Sequence, residues 1–130
     1  MAQAITNGYK VLVVEDEPLI RLQTVLLVES LGYVALEAES ADAAIILLEA
    51  HHDISVVFTD INMAGSMDGL ALAAYAYDRW PPLQFIIVSG AERPKLGDMP
   101  EGARFFAKPF SSQAVSSALQ TMMETANSRA

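Results

Sequence analysis

VLVVEDEP, residues 11–18, begins with four apolar residues, turns acidic at Glu15 and Asp16, and reaches a proline at Pro18. A continuous apolar run of this kind, three of its four residues β-branched, predicts a strand buried on both faces of a parallel sheet. Pro18 falls where a helix can begin, because its missing N–H costs nothing at the first helical position. Leu19, Leu22 and Leu26 then recur at helical spacing, Ile20, Leu27 and Leu31 widen the stripe, and Gly32 ends it. The stretch reads as a strand–helix unit with carboxylates in its connecting turn.

The same alternation continues along the chain. Residues 33–38 read as a second strand of mixed polarity, which predicts an edge position, and Ser40 can cap a helix over 41–50. Residues 54–59 and 83–88 are nearly all apolar and belong in the middle of the sheet with the first strand. Between them Asp68 can cap a helix over 70–79, ended by Trp80-Pro81-Pro82. Residues 103–107 carry Arg104 and fit the opposite edge, and a final helix is expected from about 112 to 125. Between Ser89 and Lys108, however, Pro94, Gly97, Pro100 and Gly102 leave room only for a loop or a single turn where a fourth helix would stand. Five strands alternating with helices predict an α/β fold, a three-layer sandwich around one parallel sheet with right-handed crossovers.

Composition narrows the function. One domain fits in 130 residues, 52% of them apolar. With 16 acidic against 8 basic residues the formal charge is −8, and no basic stripe is present, so direct nucleic-acid binding is not expected. The absence of cysteine removes disulfides and thiolate metal sites and fits a reducing compartment. Neither a signal-peptide core nor an apolar stretch of bilayer length occurs, so the expectation is a cytoplasmic protein without membrane contact.

Chemistry gathers where the apolar runs end. Glu15-Asp16 follow 11–14, Asp60 follows 56–59, Ser89 follows 85–88 and Lys108-Pro109 follow 105–107. In a parallel sheet all of these meet at one edge, where open α/β sheets bind their ligands. Three converging carboxylates repel one another, so either a pKa rises or a cation binds, and a hard ion with oxygen ligands such as Mg2+ suits them. Asp60 can act as a nucleophile that forms an acyl phosphate, with Lys108 supplying fixed positive charge. Each residue alone has a plainer reading: acids favouring a helix N-terminus, a strand-ending Asp, a capping Ser, an exposed Lys before a turn proline. Their conjunction at four strand ends favours the chemical reading. His51 and His52 read as solvated, Tyr75, Tyr77 and Trp80 as packing, and Met122-Met123 as gap-filling.

VLVVEDEP (11–18), VVFTDINM (56–63), MDGL (67–70), IIVSG (86–90) and FFAKPF (105–110) together resemble the receiver domain of bacterial two-component response regulators. The likeness runs from about residue 10 to 125, leaving flexible tails at 1–9 and 126–130. It implies a flavodoxin-like (βα)5 sheet of order 2-1-3-4-5. It implies Asp60 as phosphoacceptor, Glu15 and Asp16 as the Mg2+-holding acids, and the Asn62 backbone carbonyl as a further ligand beside Asp60. Ser89 takes the place of the switch hydroxyl, Lys108 that of the phosphate-contacting lysine, and Phe105 that of the switch aromatic. Pro109 is expected after a cis peptide bond that aims the lysine. The implied partners are a sensor histidine kinase or a histidine phosphotransfer protein, and an unknown downstream protein target.

Four departures are visible, the mildest being Glu15 where aspartate is usual. Ala64 replaces a common proline, AGSMDG (64–69) is one residue longer than usual, and 90–102 is helix-poor, implying a reshaped loop over the site and an atypical output face. With no further domain after the last helix, the expectation is a stand-alone receiver acting by protein contact or phosphorelay, as a monomer or weak homodimer, and not an enzyme in its own right. The alternatives are an unphosphorylated pseudo-receiver adaptor and an aspartate-nucleophile phosphatase. The phosphatase reading is disfavoured because Asp60-Ile61-Asn62 lacks the second acid two residues on.

Overall fold

The structure is a computed structural model that describes residues 9–63, 65–90, 93–95 and 97–129. In chain order they form β1 (Lys10–Val14), α1 (Pro18–Ser30), β2 (Val34–Ala38), α2 (Ala41–Ala50), β3 (Ile54–Asp60), α3 (Gly69–Arg79), β4 (Gln84–Ser89), β5 (Arg104–Ala107) and α4 (Ser112–Arg129). The strands are parallel in the order β2-β1-β3-β4-β5, the flavodoxin-like arrangement expected, with β2 and β5, each carrying one charged residue, at the edges.

Because successive side chains on a strand point to opposite faces, the apolar runs of the three central strands supply two cores at once. Leu12, Val14, Val57, Phe85 and Ile87 pack under α2 and α3. Val11, Val13, Val56, Phe58, Ile86 and Val88 pack under α4 and part of α1. Side-chain caps start three of the helices. Ser40 accepts from the Ala43 N–H at 3.1 Å, Asp68 from Ala71 at 2.9 Å and Ser111 from Ala114 at 3.2 Å. α1 begins instead on Pro18, and it ends where Gly32, at φ 93°, adopts the left-handed conformation that closes a helix.

The structure corrects the sequence reading in two places. On α1 the stripe of Leu19, Leu22 and Leu26 faces solvent, at 64%, 50% and 55% exposure, while Thr24, Val25 and Val28 face the sheet. Leucines surround most of this helix, so periodicity alone does not choose the buried side. The β-branched residues fit closer to the sheet, and the Thr24 hydroxyl is satisfied within the helix by the Ile20 carbonyl at 3.0 Å. At the C-terminus α4 continues four residues beyond 125, through most of the expected tail. Its last turns lie beside the start of β1, where the Tyr9 hydroxyl donates to Asn127 Oδ1 at 3.3 Å, so Tyr9 is also no free tail. The remainder of the expected N-terminal tail, 1–8, lies outside the described residues.

Between β4 and β5 no helix occurs among the described residues. A turn closes at Lys95, whose N–H donates to Asp98 Oδ2 at 2.8 Å, and Gly97 and Gly102 take positive φ.

Candidate functional site

Register places the strand ends side by side: Val14 opposite Thr59, Asp60 opposite Val88, and Ser89 opposite Ala107. The residues just past them therefore meet at the C-terminal edge of the sheet. Glu15, Asp60 and Ser89 are buried there, at 4%, 7% and 2% exposure. Glu15, Asp16 and Asp60 each bring a carboxylate oxygen to within 4.8 Å of the others. The Lys108 ammonium sits among them, 3.1 Å from Glu15 Oε1 and 3.2 Å from Asp60 Oδ2. The Lys108–Pro109 peptide is cis.

Burial pushes the Glu15 carboxyl above the usual carboxylate range, and the Asp60 charge adds to this. The Glu17 N–H, which donates to Glu15 Oε2 at 3.1 Å, and Lys108 pull the other way without cancelling it. For Lys108, burial lowers the pKa, but the hydrogen bond to Glu15 and the charges of Asp60 and Glu15 outweigh it and hold the ammonium above its ordinary value. One ammonium thus faces three carboxylates. This excess of negative charge, on oxygen donors within coordinating range of one another, fits a hard divalent cation.

Asn62 lies two residues beyond Asp60, and its amide approaches Ser89 Oγ at 3.5 Å, the outer limit of a hydrogen bond. The loop into α3 is held at its far end, where the Ser66 hydroxyl meets both Asp42 oxygens at 3.0 and 3.1 Å. Ala64, the departure expected to reshape this loop, lies outside the described residues. Phe105 is half-buried on the edge strand, with the Arg93 guanidinium 5.4 Å above its ring.

Sequence reading missed three contributors. Arg93 carries no pattern that marks it. Gly69 follows the capping Asp68 and lets α3 approach β3: a Cβ there would collide with the Asp60 backbone carbonyl, and the Gly69 N–H donates to the Ile61 carbonyl at 2.9 Å. Arg21 donates from Nη1 to the Glu15 carbonyl at 2.9 Å. No local pattern marks this contact, which only folding reveals. The other singled-out residues lie elsewhere: His52 is exposed, Trp80 packs edge-on to Tyr75, and Met122 and Met123 are in the core.

Beside Lys108, a cavity of about 570 Å³ opens between α1 and the turn into α4, with Ile20, Leu27, Pro109 and Phe110 among its walls. Among the described residues no helix is long and apolar enough to cross a membrane.

Residues 11–120 match the response regulator receiver domain family. The chain is similar to "Sensor kinase CckA" of Brucella abortus (strain 2308), 33% identical over 127 residues. That match takes in 95% of this chain but only 13% of the relative, so the kinase activity in the relative's name belongs to the longer protein. Among solved structures, the receiver domain of the hybrid histidine kinase CckA superposes with a TM-score of 0.74 at 26% identity, covering 87% of this chain and 97% of that one. A response regulator receiver domain protein from Clostridium thermocellum gives a TM-score of 0.81 at 27% identity, covering 94% and 99%.

Proposed function

Because the chain belongs to the response regulator receiver domain family, we propose that Asp60 accepts a phosphoryl group from a phosphohistidine on a sensor histidine kinase or histidine phosphotransfer protein. The observation that carries this reading is the Lys108 ammonium within 3.2 Å of the buried Asp60 carboxylate, in a pocket that already gathers two further acids. In the transfer, a carboxylate oxygen of Asp60 forms a bond to phosphorus while the donor's N–P bond breaks and its electron pair returns to the imidazole. The product is an acyl phosphate.

Such a transfer depends on in-line placement and on neutralising charge. Lys108 supplies fixed positive charge for a phosphoryl oxygen. Ser89, held at the end of β4, offers a hydroxyl to another. Asp16, Asp60 and the Asn62 carbonyl, with Glu15 beside them, would hold Mg2+, which would supply the remaining charge neutralisation when bound. Glu15 accepts from Lys108 and from the Glu17 N–H, which fixes its carboxylate beside the ion.

The cavity beside Lys108, walled in part by Ile20, Leu27, Pro109 and Phe110, offers an apolar approach to the pocket, suited to a helical donor. Output passes through Phe105 and the helix-poor crossover beside it, as a shift between two conformations read by a partner protein.

The test is intact mass after incubation with Mg2+ and acetyl phosphate, beside Asp60→Asn and a metal-free control. A single phosphoryl adduct that requires both Mg2+ and Asp60 is expected. No adduct in excess Mg2+ would sink the receiver reading and leave an unphosphorylated adaptor.

A further inference from the structure

We propose that Arg21 is the positioning residue of the acidic turn, holding the Glu15 peptide so that Glu15, Asp16 and Asp60 present their carboxylates to one cation. The inference rests on the receiver reading for the identity of that cation. Its physical basis is a set of hydrogen bonds that no family role assigned above requires.

The turn from β1 into α1 lacks the usual anchor. Its capping position, Glu17, makes no side-chain bond to the helix it starts. The turn is instead fixed through Glu15. The Glu15 N–H donates to the Ala38 carbonyl at 3.0 Å, and the Glu15 carbonyl accepts from Arg21 Nη1 at 2.9 Å. Arg21 sits in the first turn of α1, where its own N–H donates to the Glu17 carbonyl at 2.9 Å, and its Nε donates to Glu37 Oε1 at 3.1 Å. Two of these contacts, to Glu37 and Ala38, reach neighbouring residues of β2. The guanidinium therefore ties the turn to the edge strand from one side while the Glu15 amide ties it from the other.

The geometry calls for arginine. A planar guanidinium presents donors in a fixed fork, so one nitrogen can hold a carbonyl while another holds a carboxylate, whereas an ammonium has no such fork. Glu37 also offsets the Arg21 charge, so the side chain acts by direction and not by competing for the acids. The need for a clamp follows from the site: Glu15 is buried, its carbonyl requires a partner, and three like charges push one another apart. Asp60 is fixed by β3. The Glu15-Asp16 side of the cluster relies on the turn.

Isothermal titration of Mg2+ into the full chain tests this with Arg21→Ala, Arg21→Lys and Glu37→Gln. Partners behind metal ligands typically change affinity by about 10-fold or more when removed. Arg21→Ala should weaken Mg2+ binding by about that factor, with Arg21→Lys and Glu37→Gln in between. Phosphorylation by acetyl phosphate should need correspondingly more Mg2+ yet reach the wild-type rate at saturation. Independently of metal, amide hydrogen exchange at Glu15 and Glu17 should quicken in Arg21→Ala while the amides of β3 stay protected.

A folded Arg21→Ala protein with unchanged Mg2+ affinity overturns the proposal. So does a lower melting temperature with Mg2+ affinity and turn exchange both unaltered, which is a structural role only. Should Arg21→Ala fail to fold, wild-type affinity in both Arg21→Lys and Glu37→Gln has the same force. Wild-type protein that neither binds Mg2+ nor gains a phosphoryl group defeats the receiver reading and the cation half of the proposal. The exchange measurement then judges the positioning of the turn by itself.

Discussion

Between β3 and β4 the chain passes through α3, whose first residue, Gly69, lies so close to the Asp60 carbonyl that no Cβ fits. Between β4 and β5 it passes residues 90–103 without a helix among the described residues, and among those, chain neighbours aside, nothing lies within 4 Å of where a Cβ would stand on Gly97 or Gly102. Both crossovers leave the same sheet edge and flank the same pocket. The first is pressed against β3 at the Asp60 backbone, so its sequence is constrained by contact. The second is held more loosely, by its own turns, by Met99 and Ala103 against the core and by Arg93 over Phe105. In the proposed function the chemistry rests on the tight crossover, and changes in the open one should reach the pocket less.

The contrast is sharpest at the two glycines. Gly69→Ala should have the largest effect, destabilising the fold by about 2–3 kcal/mol through overpacking against backbone and abolishing Asp60 phosphorylation, read by denaturant unfolding and intact mass. A Gly69→Ala protein of wild-type stability and activity would break the comparison. Gly97→Ala, at φ 96° with open space around it, should cost about 1–2 kcal/mol from backbone conformation alone and leave phosphorylation intact.

Charge sharpens the comparison further. Glu15 has a raised pKa in the fold against a reference of 4.5, so its contribution to stability is fully present below about that pH and lost as pH rises through the folded value. Above that folded value the ionised form is a cost, so Glu15→Gln should slightly stabilise the metal-free protein there, with the advantage vanishing toward about pH 4. The same variant should bind Mg2+ more weakly. Thermal melts across pH, with and without Mg2+, check both signs. Arg93→Ala removes only an exposed cation–π contact to Phe105 and should change stability least, by about 0.5 kcal/mol, with phosphorylation unaffected. A larger loss of stability would mean the open crossover is held more firmly than its contacts indicate.

Much of the arrangement was legible from residue order. Val11, Leu12, Val13 and Val14 alternate between two cores, and a strand with apolar residues on both faces has nowhere to go but the middle of a parallel sheet. Polar residues in β2 and β5 marked the edges, Ser40 and Asp68 marked helix starts, and the prolines and glycines of 90–102 ruled out a helix. With strand order known, Glu15, Asp16, Asp60, Ser89 and Lys108 had to share one edge. The α1 leucines misled because a helix apolar on most sides can turn any of them inward, and the choice depends on what lies opposite. The length of α4 was missed for a similar reason, since Tyr9 lies 118 positions away from Asn127.

The sequence by itself determined the alternation of strands and helices, the central and edge strands, and which chemical groups stand at the strand ends, because these depend on periodicity and on local backbone preference. Only the tertiary structure decided that Lys108 bridges Glu15 and Asp60, that α3 abuts Asp60 through Gly69, that Arg21 holds the Glu15 carbonyl, and which face of α1 remains in water. These are contacts between residues brought together by packing, where a shift of an ångström decides whether a bond exists. No local pattern in the chain records that distance.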